Sequence, residues 1–146
     1  MDETAYEFSA DAARIDRGWV HRTLSEHAYW AIGRSRALQD AAIDGSRCFG
    51  VYRRADGRQV AFARLVTDGA TFGWLADVIV DPALRGEGVG KALVAGVAAE
   101  LDALGLKRTL LMTSDAHGLY AQNGWGPVSS PENWLVRPGP DGRASF

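Results

Sequence analysis

The densest concentration of residues able to do chemistry is the run Val78-Ile79-Val80-Asp81-Pro82-Ala83-Leu84-Arg85-Gly86-Glu87-Gly88-Val89-Gly90-Lys91-Ala92-Leu93. An apolar stretch meets a proline, then a glycine-rich turn, then an amphipathic segment, which predicts strand, loop and helix. Pro82 lacks the N–H that a strand ladder needs, so the strand must end there. Gly86, Gly88 and Gly90 let the backbone bend sharply and come close to a ligand with no Cβ in the way. The first N–H groups of the helix point back into that loop, at the positive end of its dipole. Such a turn holds an anion, most naturally a phosphate or pyrophosphate.

Spacing narrows the choice of phosphate ligand. A nucleotide-binding P-loop needs Gly, four residues, then Gly-Lys-Ser/Thr. Here Arg85 stands where its first glycine belongs and Ala92 where a magnesium-binding hydroxyl is required. A dinucleotide fingerprint needs Gly-x-Gly-x-x-Gly, and the residue three after Gly88 is Lys91. What fits is Arg85-x-x-Gly88-x-Gly90 after a strand ending in Val80-x-Pro82. This resembles the acetyl-CoA-binding signature of the GCN5-related N-acetyltransferases, the GNAT superfamily. The resemblance implies acetyl-CoA as donor and CoA as product. It places Arg85, Gly86, Glu87, Gly88, Val89, Gly90 and Lys91 at the pyrophosphate, and the backbone of Val78, Ile79 and Val80 along the pantetheine arm and at the thioester carbonyl. Lys91 stands in the first helical turn, where the dipole disfavours a cation unless a phosphate compensates.

Moving an acetyl group from a thioester to an amine requires a neutral amine, a polarised carbonyl and a proton for the departing thiolate. An unperturbed alkylamine has a pKa of about 10.4, so a base or desolvation must remove its proton. For the thiolate, Asp115-Ala116-His117-Gly118-Leu119-Tyr120-Ala121-Gln122-Asn123-Gly124-Trp125 is similar to the family's second signature, a helix carrying Leu-Tyr followed by a glycine and an aromatic. That likeness implies that Tyr120 is the general acid at the sulfur; its structural alternative is simple packing. The base is less well marked. Some relatives carry a glutamate on the strand before the tyrosine helix, but Thr109-Leu110-Leu111-Met112 has no carboxylate.

Asp77, a charge within an apolar run, is the alternative, either as base or to position the acceptor. By alternation it shares a face with Ile79 and opposes Val78 and Val80. An ion pair with Arg64 on the neighbouring strand is its competing role. The family's acceptor pocket lies between the two N-terminal helices and the strand meander, which implies Tyr29, Trp30, Phe72 and Trp74 as aromatic walls. The histidines His27 and His117 titrate in a useful range. Such walls suit a small-molecule primary amine with an apolar or cationic part. Cys48 reads as a buried strand residue far from any base, a poor acyl-carrying nucleophile. No metal ion is called for. The missing strand carboxylate keeps open an alternative of another class, a non-catalytic acyl-CoA-binding or sensing module.

The elements that must position these residues follow from periodicity. Tyr6 to Phe8 predicts a short strand. Ile15, Trp19, Val20 and Leu24 recur at helical spacing, predicting a helix from Arg14 to Ser25. A second helix is expected from Ser35, its cap, to Ala42. Asp56-Gly57 and Asp68-Gly69 each sit between strand-like runs, so Cys48 to Arg53, Gln59 to Thr67 and Thr71 to Val80 form an antiparallel meander. Val89, Leu93, Val97, Leu101 and Leu104 make one helical stripe that Gly105 closes. Arg108 to Met112 reads as a parallel strand, and Asp115, the expected N-cap, opens a helix to Gln122. Short strands are expected around Trp125 to Val128 and Trp134 to Val136, with a mobile end from Pro138 to Phe146. This order resembles the GNAT fold: an α/β (α+β mixed) architecture with a single mixed, mostly antiparallel sheet, helices on both faces and a splayed parallel strand pair.

With 146 residues, the chain reads as one domain spanning 1–146, large enough for a continuous core. A net charge of -2 and the lack of any Lys/Arg run leave nucleic-acid binding unsupported. No apolar run has the length of a membrane span, and Met1-Asp2-Glu3-Thr4 is acidic where a secretory leader is basic, so a cytoplasmic protein is expected. The single Cys48 excludes an internal disulfide. A homodimer would match what is common in the family.

Overall fold

The computed structural model describes residues 5–141. Asp16 starts the first helix by accepting the Trp19 N–H at 3.0 Å, so α1 spans Arg17–His27. It begins later than the spacing predicts because Ala12–Arg14 forms a separate 3-10 turn under its own cap, Asp11. The Ser35 hydroxyl accepts the Leu38 N–H at 3.1 Å and opens α2, Arg36–Asp44. β1 (Tyr6–Ser9) precedes these helices, and β2 (Arg47–Arg53), β3 (Gln59–Thr67) and β4 (Phe72–Val80) follow them. The two Asp-Gly turns form as expected, with Gly57 and Gly69 at φ of 71° and 77°. The long crossover helix α3 is Val89–Leu104 and ends at Gly105, φ 66°. It delivers the chain to β5 (Arg108–Leu110), and α4 is His117–Ala121.

Among the described residues these strands form one sheet in the order β1-β2-β3-β4-β5. The first three pairings are antiparallel and β4 with β5 is parallel. Helices cover both faces, as the mixed-sheet expectation required. On one face Val89, Leu93, Val94 and Val97 of α3 pack with Phe49, Val51, Ala63 and Leu65. On the other, Val20 and Leu24 of α1 and Ile43 of α2 pack with Cys48, Phe62 and Ile79. The first layer is tight enough that a Cβ on Gly96 would stand 2.2 Å from Phe8 Cδ2.

Two features matter for the site. First, β4 and β5 pair at Phe72–Arg108, Gly73–Thr109 and Trp74–Leu110 and then part. β5 stops before the predicted Met112, and among the described residues no strand pairs with residues 75–80 of β4 on that side. Second, β4 carries a bulge. Phe62 pairs with Ile79 but Arg64 pairs with Ala76, so β4 spends one extra residue over the same stretch. Asp77 takes that residue, at φ 53°.

The C-terminal part departs from expectation. No strand forms around Trp125 to Val128 or Trp134 to Val136; instead Pro131–Asn133 makes a 3-10 turn. Apolar, β-branched residues need a partner ladder, and β5 offers an edge of three residues only. Of the predicted mobile end, residues 142–146 lie outside the described ones.

Candidate active site

The parted strands leave the β5-facing backbone edge of residues 75–80 without a strand partner among the described residues, and this is the region where Val78, Ile79 and Val80 are expected to meet a ligand's amides. The bulge sorts the side chains. Leu75, Val78 and Val80 all pack against the α3 cluster, whereas Ile79 packs against the α1 cluster. Leu75 and Val78 could not share a face in a regular strand, and the extra residue turns Asp77 toward α1 and α2.

Beyond the strand, Asp81 anchors the loop. Its N–H donates to the Val60 carbonyl at 2.8 Å, its Oδ1 accepts the Ala83 N–H at 3.0 Å, and Arg58 Nη2 meets its Oδ2 at 3.1 Å. Gly86 and Gly88 then adopt φ of 83° and 79°, a conformation that side-chain-bearing residues resist. Gly88 occupies the helix cap without a side chain to offer. The first α-helical bond runs from the Ala92 N–H to the Gly88 carbonyl at 3.1 Å. The N–H groups of Val89, Gly90 and Lys91 therefore have no partner in the helix and face the loop. Arg85, Glu87 and Lys91 are exposed around them, whereas the Val89 side chain is buried and can contribute only its backbone. Gly90 differs from its neighbours. Its φ is ordinary, and an added Cβ would sit 3.6 Å from Leu119 Cδ2 and 3.7 Å from Val80 Cγ2, in normal contact. Nothing in the protein demands glycine there, whereas a ligand approaching the backbone would. The loop thus fits a diphosphate.

Those two contacts also show that α4 stands beside the end of β4 and the start of α3. Tyr120 lies on α4, 7% exposed, with its ring edge-on to Trp125 at 6.0 Å. Its hydroxyl has no hydrogen-bond partner among the described residues. Burial pushes its pKa up to about 12, with a further push from Asp115. The phenol is therefore protonated at neutral pH and able to donate. Asp115 is not the expected cap: Ala116 occupies that position without a side-chain bond, and Thr113 Oγ1 accepts the Ala116 N–H at 3.1 Å instead.

Asp77 is enclosed. Its Oδ2 accepts from Arg34 Nη1 and Arg64 Nε, each at 2.7 Å, and its Oδ1 accepts from the Trp30 indole at 2.8 Å. The Asp77 side chain is 2% exposed. Burial pushes its pKa up, but the hydrogen bonds and charges of Arg34 and Arg64 outweigh burial and the net displacement is downward. Trp30 packs edge-on to Tyr29 at 4.9 Å, and the Tyr29 hydroxyl lies 3.3 Å from Ser114 Oγ in the segment after β5. The two aromatics therefore connect the α1–α2 junction to the far lip of the gap.

Other predicted residues fall elsewhere. Phe72 pairs with Arg108 at the opposite end of β4, five residues from Asp77, so it does not join these walls. Trp74 is half-buried at the last β4–β5 pair. His27 at the end of α1 and His117 at the start of α4 are exposed. Cys48 is buried, and burial pushes its thiol up to about 11, which leaves it unreactive. A cleft of about 170 Å³ between the ends of α3 and α4, lined by Leu101, Asn123 and Trp125 among others, contains none of the candidate residues. Arg34, Gln39 and Ser114 were not anticipated. The one available signal for Arg34 was that a charge buried in an apolar strand needs more than one partner.

Comparison with known proteins points the same way. The profile described as the acetyltransferase (GNAT) family matches residues 12–125. A Gibberella zeae protein named as a candidate acetyltransferase is 31% identical over 81% of this chain and 77% of its own. A crystal structure from Xanthomonas campestris, named as a candidate acetyltransferase of the same family, is 48% identical with a TM-score of 0.84, covering 92% of this chain and 94% of that one. A Mycobacterium tuberculosis protein crystallised with CoA is 20% identical, covers 84% of this chain and 73% of that one, and shares the fold with a TM-score of 0.67.

Proposed function

We propose, because the chain belongs to the acetyltransferase (GNAT) family, that it moves an acetyl group from acetyl-CoA to a primary amine by direct attack in a ternary complex. The observation that carries this proposal is the meeting of three features: strands that part after Trp74 and Leu110, an uncapped α3 start beyond them, and a buried phenol with an idle hydroxyl alongside.

Acetyl-CoA supplies an activated thioester, and the residues of this chain do the rest. Arg85 and the N–H groups of Val89 to Lys91 hold the diphosphate. Unpaired backbone of Val78 to Val80 pairs with the pantetheine amides and polarises the thioester carbonyl. As the amine nitrogen forms its bond to the acetyl carbon and the carbon–sulfur bond breaks, Tyr120 gives its proton to the sulfur and regains one from water. Asp77, with a lowered pKa and both oxygens engaged, is a poor proton acceptor. Its part is to position Trp30, Arg34 and Arg64, and the amine's proton leaves through water.

Incubation with acetyl-CoA and a panel of primary amines, with released thiol measured colorimetrically, tests this. Amine-dependent thiol release is expected. Acetyl-CoA binding with no thiol release from any amine would instead favour a non-catalytic acyl-CoA-binding module.

A further inference from the structure

The ion cluster around Asp77 does not balance. Arg34 and Arg64 bring two positive charges against one negative, which leaves a net charge of one. The neighbouring ion pairs do not supply the missing anion. Arg17 and Arg36 are matched by Asp40 and Asp44, two charges of each sign. Both guanidiniums are largely withdrawn from water, with side chains 15% and 17% exposed. A cation so placed is costly without a counter-charge.

Donors are left over as well. Arg34 uses only Nη1, which gives to Asp77 and to Gln39 Oε1 at 3.0 Å. Arg64 uses Nε for Asp77 and Nη1 for Ser46 Oγ at 3.3 Å. Arg34 Nε and Nη2 and Arg64 Nη2 have no partner among the described residues. Gln39 and Ser46 hold the two planes in fixed orientations, so the idle N–H groups are organised before any ligand arrives. The cluster touches the candidate acceptor space through Trp30, whose indole is bound to Asp77 and whose ring meets Tyr29.

Resting on the transfer reading above, we propose that the acceptor amine carries an anionic group, a carboxylate, which docks on the idle N–H groups of Arg34 and Arg64. The cationic acceptor suggested by the aromatic residues alone is disfavoured by this charge, and specificity lies in the guanidinium pair.

The test pairs each amine as free acid and amide: glycine with glycinamide, and phenylalanine with phenylalaninamide, beside a diamine. The amide's amine is the less basic, so intrinsic reactivity favours the amide and a preference for the acid must come from the protein. The expected kcat/KM is about tenfold or more in favour of the acids, carried mainly by KM. Arg64→Gln should bring the ratio near parity, and Arg64→Lys should retain most of it. The ratio is internal to each variant, so partial unfolding does not mimic the effect. Parity in the wild type, or preference for amides or the diamine, overturns the carboxylate proposal and leaves acetyl transfer standing. If no amine is turned over, the transfer reading fails instead. Calorimetry of acid and amide against the acetyl-CoA-loaded protein then decides the anion question: tighter acid binding upholds it, equal binding overturns it.

Discussion

The Trp30 indole donates to Asp77 Oδ1 at 2.8 Å, which ties the connection between the first two helices to the bulged residue of β4. The same carboxylate holds Arg34 and Arg64. A segment that carries part of the candidate acceptor wall is thus fastened to the strand that would hold the thioester.

Asp77→Asn would leave two largely buried guanidiniums with no counter-charge. Removing one partner of a buried ion pair is strongly destabilising, and a loss of about 3 kcal/mol or more is expected by urea unfolding. A loss within about 0.5 kcal/mol, the range of ordinary surface substitutions, would contradict the account.

The same group shapes the acid limb of stability. Its folded pKa lies below the ordinary value of 3.8, so in the acid range the group binds fewer protons in the folded state than in the unfolded one. Its contribution is fully present above that ordinary value and is lost as pH falls through the lowered one. The wild type should therefore lose stability as pH drops below about 4, and Asp77→Asn should show a shallower decline. Parallel acid limbs in the two proteins would contradict this.

Tyr120→Phe should lower kcat by about a hundredfold or more, with acetyl-CoA affinity unchanged in calorimetry. Because burial pushes the phenol to about 12, the kcat profile should show no descending limb from this group across the range where an ordinary tyrosine ionises, near 10. An unchanged kcat in Tyr120→Phe would overturn the assignment, whereas a descending limb near or below that ordinary value that disappears in the variant would contradict the raised pKa.

The glycines of the loop separate conformation from ligand approach. Gly88→Ala forces a side chain into φ 79° and should cost about 1–2 kcal/mol. Gly90→Ala should leave the melting temperature nearly unchanged, since its Cβ fits, and yet weaken CoA binding. Unaltered CoA affinity in Gly90→Ala would remove that residue from the diphosphate site.

Gly96→Ala sets two effects against each other. Alanine is favoured over glycine in a helix by about 1 kcal/mol. The new Cβ, however, would stand 2.2 to 2.6 Å from three atoms of the Phe8 ring, and overpacking of that kind costs about 1–3 kcal/mol. Net destabilisation is expected in chemical denaturation, and a stabilised variant would show that the contact is loose.

What could be read from the sequence was local and periodic. The Asp-Gly pairs at 56–57 and 68–69 placed both hairpins because a tight turn needs residues that tolerate positive φ. The stripe from Val89 to Leu104 and the cap at Gly105 placed α3. What could not be read depended on contacts distant in sequence. Arg34 lies 43 residues from Asp77, in a connection with no periodicity to mark its orientation. The bulge at Asp77 breaks an alternation that would have set Leu75 against Val78, and the residues themselves do not announce it. Asp115 does not cap α4 because the helix starts one residue later than that cap requires, with Ala116 in the cap position and its N–H taken by Thr113 Oγ1. Trp134 to Val136 has strand-forming composition, but no ladder among the described residues receives it.

The most direct measurement is a crystal structure of the protein with CoA. The account predicts the diphosphate on the N–H groups at the start of α3, the pantetheine arm between β4 and β5 beyond Trp74 and Leu110, and the sulfur within hydrogen-bond reach of the Tyr120 hydroxyl. A sulfur far from Tyr120, or a coenzyme bound away from the parted strands, would contradict it.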